Sequence, residues 1–288
     1  VFVLCGSSAR RVRRSQANLL GGRALRYELF GLVSDELGTD FDLVRMLNHG
    51  YLPRHYLEDS PAPLVRAYVQ DYLKEEVLAE GLSRSLPVFS NFLNSAALSD
   101  TAVLNYATIA RDCGVSAHTV RGYFEILVDT LLGRELPAYV RRPKRRIIRA
   151  PRFFFTDVGL VNLLARRGKI EPGSELFGKA FENWVHHELA AYAQYREKFH
   201  ELSYWRLTTG AEVDFIIDDM AYAIEAKASR SVTSDHLKGL RELSLEHPRV
   251  KRRFVISLDA RPRVTEDGIE VLPHKIFMQR LWQGDLLR

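Results

Sequence analysis

The sequence predicts an α+β fold, and three observations carry that prediction. The first half shows helical spacing of apolar residues with few strand-like runs. A pair of short helices joined by a glycine turn follows between residues 104 and 127. From residue 177 onward, a long amphipathic helix precedes three strand-like runs, a further helix and another strand. That alternation is typical of mixed α/β layers.

Composition excludes several classes of protein. The chain has 288 residues, of which 46% are hydrophobic and 27% charged, and these values exclude disordered and fibrous proteins. No apolar stretch is long enough to span a membrane, so we expect no membrane association. With only Cys5 and Cys113, a disulfide framework and a cysteine zinc site are excluded, and a cytoplasmic location is predicted.

The first residues predict a buried strand. The run VFVLC is apolar and β-branched and is followed directly by GSS, which offers the hydroxyls of Ser7 and Ser8 at the end of the strand. Open α/β sheets bind ligands at that end. Because a buried strand needs neighbours, we expect the chain to be the downstream part of a longer protein.

Positive charge is concentrated in two runs. Six arginines and no acid lie between Arg10 and Arg26, and eight basic residues with one acid lie between Arg134 and Arg152. Such runs favour a polyanion such as DNA as a partner. A solvated surface, or contact with another part of the protein, explains them equally well.

The clearest local pattern is a helix-turn-helix. Ile109 and Ala110 share one helical face, Gly114 suits a left-handed turn, and Ser116 can cap the next helix. Single helices are also predicted over 64–82 and 87–98. The second helix of the motif is predicted to show Ala117, His118, Arg121 and Gly122 outward. The candidate nucleic-acid contacts in this motif are Ser116, His118, Thr119 and Arg121.

The runs LPAYV and RRIIRA flank a basic turn and predict the two strands of a wing, which makes the region a winged helix. Its candidate nucleic-acid contacts are Arg141, Arg142, Lys144, Arg145 and Arg146. Many domains of this kind contact only proteins, so DNA and protein partners both stay open.

Chemistry is predicted in the last domain. Strand alternation puts Glu225 and Lys227 of AIEAK on one face of a strand. If residues 218–221 form the connecting loop, two residues on the neighbouring strands face each other when their residue numbers add up to 439. Asp214 then lies opposite Glu225, with Cβ atoms roughly 5 Å apart.

Two carboxylates at that distance repel each other unless a cation lies between them. Oxygen ligands suit Mg²⁺ or Mn²⁺, so Asp214 and Glu225 are the predicted metal ligands. Lys227 would then support an attacking water, and Glu182, on the preceding helix, would assist. The alternative is that Glu225 and Lys227 form an ordinary surface ion pair.

Nearly the whole chain resembles a prokaryotic AAA-type P-loop ATPase family with a C-terminal domain of unknown function. The resemblance lies in GSSAR, NLLGGRA, GYLPRHYLED, LVRAYVQDYLKEEV, IARDCGVSAHTVRGYFEIL, FFFTDVGL, FGKAFENWVHHEL, YWRLTTGAEVDFII and IEAKAS. It implies that Ser7 or Ser8 lies near the γ-phosphate of ATP, and that the protein associates with itself. No Walker A sequence G-x-x-x-x-G-K-[ST] occurs, so we expect no ATP hydrolysis by this chain, and ATP binding only in the intact architecture.

The C-terminal part of that family is similar to the PD-(D/E)XK nuclease fold, and the resemblance assigns the catalytic positions to Glu182, Asp214, Glu225 and Lys227. The resulting domain prediction is an ATPase remnant and lid (1–62), a helical winged-helix domain (63–152) and a nuclease-like domain (153–288). Two functions follow: a DNA-associated ATPase-family protein with a Mg²⁺-dependent nuclease-like site, or a non-catalytic DNA- or protein-binding regulatory module. If an upstream segment carries a P-loop, ATP hydrolysis is a third.

Overall fold

The computed structural model describes residues 27–72, 85–141, 146–198 and 200–288. These residues form two compact units, each assembled from separate stretches of the chain. The helical unit contains the described residues up to Gly31, His49–Glu135 and Phe153–Gly168; the sheet unit contains Leu32–Asn48, Leu136–Arg152 and Lys169–Arg288. The two predicted boundaries, after residues 62 and 152, stay predictions.

The described residues form an α+β structure, with helices and two sheets. The helices are α1 Ser34–Leu37, α2 Leu43–His49, α3 Pro53–Leu57, α4 Ala62–Tyr72, α5 Leu86–Leu98, α6 Tyr106–Cys113, α7 Ala117–Asp129, α8 Val158–Leu164, α9 Glu175–Tyr195, α10 Lys238–Glu246 and α11 His274–Trp282. The strands are β1 Gly133–Leu136, β2 Arg152–Phe155, β3 Leu202–Arg206, β4 Glu212–Ile217, β5 Tyr222–Lys227, β6 Arg252–Ser257, β7 Arg263–Val264 and β8 Ile269–Pro273. In the part of the chain that the structure describes, no helix has the length and apolar character needed to cross a bilayer.

The helix-turn-helix predicted from the sequence is formed by α6 and α7. Gly114 ends α6 with φ +67°, a left-handed conformation that favours glycine. The Ser116 hydroxyl accepts a hydrogen bond from the backbone N–H of Thr119 at 3.1 Å and caps α7. Both helices bury their apolar faces in the core of the helical unit, with Phe124 and Phe153 in edge-to-face contact. The predicted helix over 87–98 is also present as α5, whereas part of the one over 64–82 lies outside the described residues.

The predicted wing is wrong in its pairing. β1 and β2 form a two-stranded sheet, but LPAYV and RRIIRA do not pair with each other in the described residues. Both border β3 instead: Tyr139 N–H donates to Tyr204 O at 2.7 Å, and Ile148 N–H donates to Arg206 O at 2.9 Å. An edge strand has unpaired backbone groups that attract such segments. Arg141 and Arg146 therefore belong to the sheet unit.

The six strands of the larger sheet run in the order β3-β4-β5-β6-β8-β7. β3, β4 and β5 are antiparallel neighbours, whereas β5, β6 and β8 are parallel. Helix α10 packs on the face that carries Ile216 and Ala223, while His186 of α9 lies beside Phe215 on the other face. The short edge strand β7 was not predicted. The central strands are thus buried on both sides.

Glu188 of α9 is a buried carboxylate that joins three elements of the sheet unit. It accepts hydrogen bonds from the Ser34 backbone N–H at 2.8 Å and the Ser34 hydroxyl at 2.9 Å. The indole N–H groups of Trp184 and Trp282 donate at 3.1 and 2.7 Å. Burial raises the pKa of Glu188 to about 7, although all these hydrogen bonds favour the ionised form.

Glu188→Gln tests this carboxylate. A raised carboxyl pKa means that the native state binds the proton more tightly than the unfolded state, so stability from this group is lost as pH rises through 7. Gln cannot titrate and turns an amide N–H₂ toward existing donors, so the variant is less stable at pH 5. The difference in the free energy of unfolding between wild type and variant should narrow by about 3 kcal/mol between pH 5 and pH 8, as measured by urea unfolding. A gap independent of pH would contradict the raised pKa.

Candidate functional site

The structure brings together the residues predicted at the centre of the site. β4 and β5 pair with Phe215 opposite Ile224, Ile216 opposite Ala223 and Ile217 opposite Tyr222, which is the register predicted from the loop over 218–221. One further step along the ladder puts Asp214 opposite Glu225. The side chains of Asp214 and Glu225 are 3% and 2% exposed, so this carboxyl pair lies inside the protein, not on a strand surface.

Lys227 lies between the two acids. Its Nζ is 2.7 Å from Glu225 Oε2 and 3.5 Å from Asp214 Oδ2. Asp214 Oδ2 also accepts the backbone N–H of Ala226 at 2.9 Å. The predicted surface pair of Glu225 and Lys227 is therefore part of a buried network, with only the lysine partly exposed.

Arg152, the first residue of β2, completes the network and was missed by sequence reasoning. Its Nη1 donates to Asp214 Oδ1 at 3.2 Å, and its Nη2 forms an ion pair with Glu182 of α9. The guanidinium is buried and lies 5.7 Å from the centre of the Tyr204 ring. Nothing local distinguishes Arg152 from the other arginines of its basic run. Only the folded chain shows that this one points inward.

Helix α10 closes the site from one side through Gly239. A Cβ atom at this position would lie 1.9 Å from the backbone oxygen of Glu212 and 2.7 Å from Glu225 Oε1. Such distances are far shorter than van der Waals contact. Only glycine therefore allows the helix to rest on β4 directly over the Glu225 carboxyl.

Three acids and two cations share this space, and their pKa values reflect it. Burial opposes ionisation of Asp214, but Lys227 and Arg152 together hold its pKa well below the usual value. Burial, and then the charge of Asp214, raise the pKa of Glu225 well above the usual value. Burial raises the pKa of Glu182 to about 8, against the lowering effect of Arg152. The two cations therefore favour ionisation of Asp214, which contacts both of them, over ionisation of Glu225 and Glu182.

This donor set does not fit the divalent cation that the nuclease resemblance implies. Mg²⁺ and Mn²⁺ need several ionised or carbonyl oxygens and retain bound water. Here the oxygens of Asp214 face Arg152, Lys227 and a backbone N–H, and Glu225 Oε2 faces the Lys227 ammonium. Within the ranges that the structure covers, no group of three or more His, Cys, Asp or Glu is arranged to hold a metal.

The predicted nucleic-acid contacts that the structure describes belong to both units. His118 and Arg121 are exposed on α7, Thr119 is half-buried, and the Arg121 guanidinium lies 4.9 Å from the centre of the Tyr106 ring. Ser116 is exposed but its hydroxyl caps α7. In the sheet unit, Arg146 is exposed and Arg141 pairs with Glu201 at 3.0 Å. The predicted residues Ser7, Ser8, Arg142, Lys144 and Arg145 lie outside the described residues.

Two family models match the chain. One, a domain of unknown function (DUF8612), matches residues 40–171, and another, a domain of unknown function (DUF4143), matches residues 177–277. The second match contains Glu182, Asp214, Glu225 and Lys227. The first contains α6, α7 and Arg152.

Two curated relatives are similar over most of the chain. They are the uncharacterized proteins Mb2031c of Mycobacterium bovis and Rv2008c of Mycobacterium tuberculosis, each 25% identical over 255 residues. The match covers 85% of this chain and 56% of each relative, so the chain spans little more than half of their length. No solved structure matches the chain.

Gly239→Ala tests the close approach of α10. The added methyl group must displace the helix from β4, so we expect the free energy of unfolding to fall by about 2 kcal/mol. Gly178→Ala in α9 is the matched control, because a Cβ there meets nothing within 4 Å. Replacing that glycine within a helix should raise stability by up to about 1 kcal/mol. Equal effects of the two changes in chemical unfolding would contradict the packing argument.

Proposed function

We propose that this chain is the DNA-binding, non-cleaving part of a larger ATPase-associated protein. The observation that carries the proposal is the helix-turn-helix of α6 and α7, in which a left-handed Gly114 and the Ser116 cap precede a second helix whose first residues are exposed. The motif resemblance to AAA-type ATPases supports the association, as does the greater length of the curated relatives. ATP binding and self-association are proposals that rest on the same resemblance, and a cytoplasmic location is a proposal that rests on the low cysteine count.

The first residues of α7 are exposed, and this is the part of the second helix with which helix-turn-helix proteins contact DNA. In helix-turn-helix proteins, the first residues of the second helix contact base edges in the major groove. His118 and Arg121 are three residues apart, so both project from one face of α7 near its beginning. The Arg121 guanidinium is held over the Tyr106 ring, which limits its rotamers before any contact is made.

We propose that the chain does not cleave DNA because cations of the protein itself balance the charges of the buried acids. Arg152 and Lys227 already neutralise the carboxylates that a hydrolytic metal would need. A second candidate function is the Mg²⁺- or Mn²⁺-dependent nuclease suggested by the sequence. It is favoured by the convergence of Glu182, Asp214, Glu225 and Lys227, and it requires Arg152 to leave the site.

DNA binding is tested by fluorescence anisotropy with labelled duplex DNA over a range of salt concentrations. Arg121→Ala should weaken binding by about tenfold, equivalent to about 1.4 kcal/mol, because one charged contact is lost. His118→Ala should weaken it less. Arg261→Ala in an exposed loop of the sheet unit removes the same charge and should leave the affinity unchanged. If Arg121→Ala and Arg261→Ala behave alike, α7 is not the DNA contact.

Cleavage is tested by incubating supercoiled plasmid with the protein in EDTA, Mg²⁺ or Mn²⁺. We expect the plasmid to stay intact in all three conditions, since the donor atoms are engaged by cations of the protein itself. Lys227→Ala is the control variant. Metal-dependent cutting by wild type that this variant abolishes would establish the nuclease instead.

A further inference from the structure

We propose that Arg152 is an internal counter-ion that takes the place of a divalent cation and excludes metal from the acidic cluster, defined as Glu182, Asp214 and Glu225. The cluster is then a structural connection between α9, β4 and β5, not a reactive centre. This proposal concerns stability and metal binding, and its outcome is independent of whether the helix-turn-helix binds DNA.

The first argument is the geometry of the guanidinium. Two different nitrogens of Arg152 engage two different carboxylates: Nη1 contacts Asp214 on β4, and Nη2 contacts Glu182 on α9. A planar guanidinium with fixed donor directions suits this bridging role, which a single ammonium group fills poorly. Arg152 therefore joins a helix and a strand as a shared metal ion would.

The second argument is the way in which the two cations are shared among the three acids. Lys227 contacts Asp214 and Glu225, whereas Arg152 contacts Asp214 and Glu182. Asp214 is thus the common partner of both cations, and each of the other acids contacts one of them. Taking away Arg152 leaves Glu182 and Asp214 buried with Lys227 alone nearby, and an uncompensated buried charge is strongly destabilising.

The third argument is that most of the cluster is shielded from solvent. Arg152 is 7% exposed and Asp214 3%, while α10 covers Glu225 through Gly239. A hydrated ion that entered would have to displace a bridging guanidinium already held by two carboxylates. In Arg152→Met, by contrast, a side chain of similar length remains but its charge is lost. A small divalent cation could then bind and neutralise the acids.

The experiment measures thermal unfolding of the full chain by circular dichroism in EDTA and in MnCl₂. Wild type should melt at the same temperature in both. Arg152→Met should melt about 5 to 15 °C lower in EDTA, and MnCl₂ should restore part of that loss. Titration calorimetry should then show one Mn²⁺ per chain for Arg152→Met and none for wild type.

Two further variants separate charge from packing. Arg152→Lys keeps a cation but loses the two guanidinium nitrogens that contact separate carboxylates. It should therefore melt at a temperature between those of wild type and Arg152→Met, and Mn²⁺ should not change that temperature. The double variant Arg152→Met with Glu182→Gln removes the cation together with one of its acids. It should melt above Arg152→Met in EDTA and respond less to Mn²⁺.

Several outcomes overturn the proposal. If wild type gains as much stability from Mn²⁺ as Arg152→Met does, Arg152 does not exclude metal. If Arg152→Met folds but neither binds nor responds to Mn²⁺, the arginine does not stand in for a cation. Should Arg152→Met fail to fold, the double variant decides: its recovery supports the counter-ion role, and its failure to fold overturns it.

Discussion

The guanidinium of Arg152, held between Glu182 and Asp214, is the interaction on which the arrangement of the sheet unit depends. Burying one carboxylate without a partner costs several kcal/mol, and this unit buries Asp214 and Glu225, with Glu182 paired to the same arginine as Asp214. Arg152 and Lys227 make that possible by dividing the acids between them. Helix α9 and strand β4 are therefore joined by charge as well as by apolar packing.

Helix α9 carries a second buried carboxylate, Glu188, whose burial is compensated in a different way. There the compensation comes from neutral donors: the hydroxyl and backbone N–H of Ser34, and the indoles of Trp184 and Trp282. Neutral donors fix the position of the carboxylate but offset its desolvation less than a full cation does. The same helix thus holds one acid by hydrogen bonds that join α1 and α11 to it, and another by an ion pair.

Local signals were sufficient for part of the fold. Gly114 and Ser116 determine a turn and a cap within a few residues, and strand alternation with a four-residue loop determined the register of β4 and β5. Signals that depend on distant chain segments were not sufficient. The pairing of Tyr139 and Ile148 with β3, and the contact between Glu188 and Trp282, 94 residues apart, follow from tertiary packing that a local pattern does not record.

The same limit governs the inference from motif to chemistry. An acid on one strand and E-x-K on the next determine where the carboxyl groups lie, because register and alternation set the Cβ positions. They leave open what fills the space between them, since the filling group comes from elsewhere in the chain. A metal ion there would polarise water, whereas a guanidinium there is fixed by two ion pairs and has no open coordination position. Under our proposal, the difference between a hydrolytic centre and a structural one lies in Arg152, which the motif does not contain.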